Sequence, residues 1–272
     1  MGLGLYIYIY IYLLFLPAQE IIRIKHENLT IGVATQIGGR IASFQYNGKE
    51  VLQIDRDDEH FMWGSTLWPA PQHAWSWPPP PAMDKMPYKI VEHSRQKIKV
   101  CSKRYAYQGL QLCKTITTVV GTSAFNITYT FINHGSKNVA AGLWENTRVP
   151  FDGEAYWLND STGDLSTLTF KEELSESNKI FIDFAKPVLA YTNHGLLFIK
   201  VFPIVNSTDV APKQSLIEIY YDPKNKFVEL ENHSKYTNIA PGAEVNYKVT
   251  WHLMPLKSHD AVKKVIAEMI QQ

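Results

Sequence analysis

The chain has 272 residues, with 27 lysines and arginines against 26 aspartates and glutamates and a formal charge of +1. That balance, with no long basic run, lacks the electrostatic footprint of a nucleic-acid binder, so no nucleic-acid partner is expected. Hydrophobic residues make up 45% and aromatic residues 12% of the chain, enough to build a core without relying on metals or disulfides, at a length that suits one large all-β domain.

Residues 1–18, MGLGLYIYIYIYLLFLPA, hold an uncharged apolar stretch from Leu3 to Leu16, followed by a small and a polar residue at Ala18-Gln19. The segment reads as a signal peptide, which would start the mature chain at Gln19 and place it in a secreted or periplasmic setting. It lacks a basic leading region, and the Tyr-Ile alternation from Tyr6 to Tyr12 would also suit a buried strand. A membrane anchor is a third reading, but the stretch falls short of the ~20 residues a spanning helix needs, so no integral membrane span is expected in the mature chain.

From there the chain reads as strand after strand: Leu29 to Val33, Arg40 to Tyr46, Lys97 to Tyr107, Leu112 to Val120, Ala124 to Ile132 and Ala140 to Trp144. The later half continues with Lys179 to Phe184, Val188 to Thr192, Leu196 to Phe202, Leu216 to Tyr221, Phe227 to Glu231 and Glu244 to Met254. Each run is rich in β-branched and aromatic residues and is bounded by turn formers such as Asn47-Gly48, Asn193-His194-Gly195 and Pro241-Gly242. Cys101 and Cys113 flank a turn at Tyr107-Gln108-Gly109, where they could pair across a hairpin or remain buried free thiols. One helix is expected at the end, capped by Ser258, with Val262, Val265, Ile266, Met269 and Ile270 on one apolar face that covers an edge of the sheets. Short strands at this spacing predict a large antiparallel β-sandwich spanning residues 19–272 as a single domain.

The stretch Trp68 to Pro81 stands apart, with three tryptophans and six prolines, too rigid for a regular strand and too aromatic for a linker. Prolines fix φ, so such a loop holds Trp68, Trp75 and Trp77 in set orientations, ready to stack on a sugar ring at little entropic cost, or else to plug one end of the sandwich.

Gly38-Gly39-Arg40-Ile41-Ala42-Ser43-Phe44, then Asn47-Gly48-Lys49-Glu50-Val51-Leu52, and Phe227 to Gly242 together resemble the galactose-mutarotase-like superfamily. The block from Gly64 to Tyr88 and the run Leu143-Trp144-Glu145-Asn146-Thr147-Arg148-Val149 resemble a bacterial branch of it that carries a Trp/Pro-rich loop. The resemblance covers roughly Ile22 to Leu256 and implies an aldose 1-epimerase-like β-supersandwich. Mutarotases of the family open a pyranose ring by general acid–base catalysis, with a glutamate as base and a histidine as acid.

Carried onto this chain, the glutamate is Glu229, by its distance to Pro241-Gly242, with Glu231 on the same strand face. The family histidine is absent, since Leu143-Trp144-Glu145-Asn146 stands where its His-x-Tyr-Phe stretch would be. His73 in the tryptophan loop is the replacement candidate, and an ordinary hydrogen-bonding role is the alternative. Arg40 and Arg148 are candidates for gripping sugar hydroxyls or an acidic sugar, with Trp144 and Arg148 on one strand face; either arginine could instead be a surface ion-pair partner.

The expected function is therefore a carbohydrate-active protein, a mutarotase or sugar epimerase, or a non-catalytic carbohydrate-binding protein using the same tryptophan-lined cleft. No phosphate loop, His-Glu-x-x-His or Gly-x-Ser-x-Gly motif is present, so no cofactor and no metal are expected, although the sequence leaves open whether a calcium ion bridges cleft carboxylates. The partner is a carbohydrate ligand and the protein a monomer.

Overall fold

The computed structural model describes residues 21–55, 62–171 and 173–270; the expected export segment lies outside them. Strands β1 (Ile21–His26), β2 (Leu29–Ala34), β3 (Arg40–Tyr46), β4 (Lys49–Glu50) and β5 (Ser65–Ala70) come first. A helical turn, α1 (Pro81–Asp84), leads to β6 (Lys89–His93), β7 (Lys97–Cys101), β8 (Leu110–Thr118), β9 (Ala124–Asn133) and β10 (Val139–Pro150). Then follow β11 (Glu154–Asn159), β12 (Leu165–Thr169), β13 (Asn178–Ile182), β14 (Ala185–Asn193) and β15 (Leu196–Val201). The chain closes with β16 (Ile217–Asp222), β17 (Phe227–His233), β18 (Thr237–Ile239), β19 (Glu244–Pro255) and helix α2 (Asp260–Met269).

These strands form two antiparallel sheets, as the alternation predicts. The first runs β1-β2-β3-β5-β10-β17-β16-β13, with β4 and β18 beside it, and the second runs β12-β11-β14-β15-β19-β9-β8-β7-β6. Their facing surfaces bury one large apolar cluster containing Phe44, Leu67, Leu143 and Leu230 from the first sheet and Phe125, Tyr129, Phe198 and Trp251 from the second. A polar pin crosses that core at β10: Lys200 on the second sheet lies 2.9 Å from Glu145 on the first, and Tyr129 and Trp251 also donate to Glu145.

The pin fixes the register of β10. With Leu143, Glu145 and Thr147 turned toward the second sheet, alternation turns Trp144, Asn146 and Arg148 to the opposite face.

Three sequence expectations are corrected. Trp68 lies in a strand rather than a loop: β5 pairs with β10 from Ser65 to Ala70, while β3 touches it only at Ser65, so the missing N–H of Pro69 faces no neighbouring strand. The strand expected at Ala140 to Trp144 runs on to Pro150, because its polar residues find buried partners on both faces. Helix α2 packs its Val262 and Ile266 on Val188, Ala190, Leu197 and Ile199, so it covers the outer face of β14 and β15 rather than an edge. Ser258 does accept a hydrogen bond from the Ala261 N–H, as a capping residue should. Cys101 and Cys113, left open by the sequence, are directly cross-strand neighbours and form a disulfide.

Candidate functional site

The outward face of β10 brings Trp144 and Arg148 beside Trp68, Glu229 and Glu231 of the neighbouring strands. Trp144 sits between Trp68 of β5 and His233 of β17, Asn146 lies between Thr66 and Glu231, and Arg148 lies opposite Glu229. One strand further, Glu231 is opposite Glu218 of β16, and Glu229 is opposite Tyr220, which in turn pairs with Lys179 of β13. Five strands thus lay aromatic, acidic and basic side chains side by side across the sheet.

The tryptophan-proline segment folds back over this face. After a short helical turn at Gln72–Ala74, Trp75 donates from Nε1 to the Pro69 carbonyl at 2.8 Å and lies 6.3 Å from Trp144. Trp77 meets Trp68 edge-on and stays 55% exposed, whereas Trp68 and Trp144 are buried beneath the loop. Turn α1, opened by Pro81, brings Asp84 underneath, where it accepts from Trp68 Nε1 at 2.9 Å and pairs with Arg40 at 3.2 Å. The arginine reaches Asp84 because two successive residues, Gly38 and Gly39, take left-handed backbone angles of +60° and +53°. A side chain at Gly38 would collide with the Asp84 carbonyl.

Both arginines are fully buried and engaged by protein carboxylates. Arg148 holds Glu229 through Nε at 2.8 Å and Nη2 at 2.7 Å, donates to Thr66, and lies over the Trp68 ring. Arg40 donates to the Trp63 carbonyl and stacks on that ring. Neither guanidinium lines the cleft described below, and neither is a surface ion-pair partner.

Beyond Trp144 lies a second charged group. Glu231 accepts from Trp144 Nε1 at 2.7 Å and from Lys179 Nζ at 2.9 Å, and Lys179 also bridges to Glu218. His233 is stacked on Trp144 at 5.4 Å, with Nε2 3.3 Å from Glu218 Oε1. Burial pushes Glu231 above the usual carboxylate range, against the pull of Lys179 and with added push from Glu218 and Glu229. Burial acts on Glu218 in the same sense, but His233 and Lys179 outweigh it and hold that carboxyl below its ordinary range. His233 is held down by burial, only partly offset by Glu218, whereas the two carboxylates overcome burial and keep Lys179 a firm cation.

This group opens to solvent through a cleft of about 380 Å³ at the β13–β16 side of the sheet. Trp75, His73 and Gln72 form one wall, Pro212, Lys213 and Gln214 another, and Phe181, Lys179 and Glu218 the floor. Of the residues expected from sequence, His73 and Trp75 face this space directly. Trp144 and Glu231 lie behind its floor through Lys179, while Trp68, Arg148 and Glu229 lie further under the loop, and Arg40 is joined to Trp68 through Asp84.

Sequence reasoning passed over Lys179, Glu218, His233 and Asp84. For His233 a signal existed: it continues the Glu229, Glu231 alternation by two residues, in a strand that was ended at Glu231.

A family profile described as a domain of unknown function, DUF4380, matches residues 152–254, which include Lys179, Glu218, Glu231 and His233 but not the tryptophan loop. No curated protein sequence matches the chain. Among solved structures, the Slr1438 protein of Synechocystis sp. PCC 6803 is similar with a TM-score of 0.62 at 11% identity, over 88% of this chain and 96% of the other. A galactose mutarotase related enzyme of Lactobacillus acidophilus gives 0.59 at 7% identity, over 87% and 98%. A galactose mutarotase-like protein of Lactobacillus casei gives 0.57 at 11% identity, over 86% and 100%. The fold is galactose mutarotase-like, as the sequence resemblance implies.

Proposed function

We propose that this protein handles carbohydrate by binding a saccharide in the cleft between the tryptophan loop and β13. The carrying observation is the composition of that cleft: exposed faces of Trp75 and Phe181 beside the polar ends of His73, Lys179, Gln214 and Glu218. Sugar rings present C–H faces and a rim of hydroxyls, so a ligand of that kind uses both surfaces at once. The buried tryptophans and arginines beneath supply rigidity, holding Trp75 in place before a ligand arrives. The mutarotase-like fold supports the same class of ligand, although a fold by itself carries no activity. The Cys101–Cys113 bridge supports the reading of the chain as an exported protein, since such bonds persist in oxidising compartments.

Binding stands ahead of catalysis in this reading. Glu229, the base indicated by the family resemblance, has its carboxylate held by Arg148 with a side chain only 7% exposed. A glutamate so engaged must break an ion pair before it takes a proton from a sugar.

The test is a saccharide screen by glycan array, followed by calorimetry on wild type and Trp75→Ala. Trp75→Ala is expected to weaken binding by about 2 kcal/mol, roughly thirtyfold in Kd. Absence of binding to any saccharide, or an unchanged Kd in a correctly folded Trp75→Ala protein, would count against the proposal. Isomerase activity is read separately from anomer exchange by NMR, where equal rates for wild type and Glu229→Gln remove Glu229 from any catalytic role.

A further inference from the structure

Beneath the cleft, several buried polar atoms are without hydrogen-bond partners, and they lie together. Nδ1 of His233, Oε1 of Glu231 and both side-chain atoms of Asn146 complete no hydrogen bond. His233 is 1% exposed and Glu231 and Asn146 are fully buried. Buried polar groups left unpaired cost on the order of 1–3 kcal/mol each, so a concentration of them on one sheet face calls for a partner that the protein itself does not supply.

The geometry specifies the kind of partner. One ligand atom each from Glu218, Glu231 and His233 fall within 4.8 Å of one another. His233 Nε2 and Glu218 Oε1 are 3.3 Å apart. Two donors each about 2.0–2.1 Å from a tetrahedral zinc ion stand at about that separation. Asn146, directly opposite Glu231 in the strand register, offers a further oxygen beside the three. Outer contacts already orient the donors: Trp144 stacks on the His233 ring and donates to Glu231 Oε2, and the Ser215 N–H donates to Glu218 Oε1.

We infer that Glu218, Glu231 and His233 form a binding site for a divalent transition-metal ion at the floor of the cleft. A mixed imidazole and carboxylate set favours zinc or manganese over calcium and magnesium, which prefer all-oxygen surroundings. Lys179 is the resident counter-charge and the competitor: its ammonium bridges the same two carboxylates. It is also the one member of the group with a substantially exposed side chain, at 24%, so it is the arm that yields toward the cleft when the ion binds. The position it vacates faces the cleft, where a water or a sugar hydroxyl would complete the coordination. This inference does not depend on the saccharide reading, because the site is defined by protein ligands alone.

Chelator-treated full-length protein is titrated calorimetrically with Zn²⁺ alone, and in parallel with Mn²⁺ and Ca²⁺. Wild type is expected to take one equivalent of Zn²⁺ in preference to Ca²⁺. His233→Ala is expected to weaken that equivalent at least tenfold, and Lys179→Met to tighten it at least tenfold by removing the competitor. Co²⁺ loaded in place of zinc reports the ligand set through its visible absorption, which should be lost in Glu231→Gln. Failure of both wild type and Lys179→Met to bind overturns the inference, as does one equivalent retained at unchanged affinity in His233→Ala. Because no sugar is present, those results leave the saccharide proposal untouched.

Discussion

Replacing Arg148 with methionine isolates what the buried arginine contributes. Its guanidinium is fully buried, meets Glu229 through two nitrogens at 2.7 and 2.8 Å, donates to Thr66 and lies 5.0 Å over Trp68. Methionine keeps much of the stem packing but leaves the Glu229 carboxylate without its counter-charge behind the tryptophan loop. Breaking a buried pair from one side costs about 3–5 kcal/mol, which for a chain of this size lowers Tm by roughly 6–20 °C. Substituting both partners, Arg148→Met with Glu229→Leu, removes the stranded charge and should recover most of that loss. Guanidinium denaturation followed by tryptophan fluorescence, with calorimetry alongside, measures the cycle. The reasoning fails if Arg148→Met costs less than about 1 kcal/mol, the range of an exposed pair, or if the double variant is no more stable than the single.

Three further outcomes concern stability. Burial, with Arg40 nearby, pulls Lys114 down to about 7, and its unfolded value is near 10.4. The folded state therefore resists protonation, its penalty is full below pH 7, and wild type should gain about 2 kcal/mol relative to Lys114→Met between pH 7 and 9 in denaturant titrations. Burial depresses His252 to about 4, so its neutral form is favoured above pH 6.5, and stability is lost as pH falls from there. His252→Gln should lose about 3 kcal/mol less than wild type between pH 6.5 and 4, and equal acid limbs would refute this. Replacing Cys101 and Cys113 with alanine reopens a loop of separation 12 and should cost about 3 kcal/mol in the same assay.

Strand alternation and turn chemistry are local properties, which is why the sandwich was legible from the sequence. Asn47 and Gly48, with φ of 47° and 82°, form the expected hairpin turn, and Phe227 to Glu231 was placed as a strand two residues short of its end. The same alternation put Glu229 and Glu231 on one face, and Trp144 and Arg148 on one face, as the strand registers have them. What it could not supply was the register between strands distant in sequence. Lys179 meets Glu231 across fifty-two positions, and nothing near either residue announces the other. Asp84 was hidden for a different reason: it follows a proline run whose rigidity was read as presenting tryptophans, not as returning a carboxylate to Arg40 and Trp68. The strand runs past Trp144 to Pro150 because Glu145 and Arg148 meet charged partners that lie on other strands, out of sight of the local pattern.

The most direct test of the account is a crystal structure of the protein with a bound saccharide identified in the screen. The sugar ring is expected against Trp75 and Phe181, with hydroxyls reaching Lys179, Gln214 or Glu218. A saccharide seated elsewhere, for instance in the separate cleft of about 370 Å³ beside Phe184 and Ile204, would contradict it.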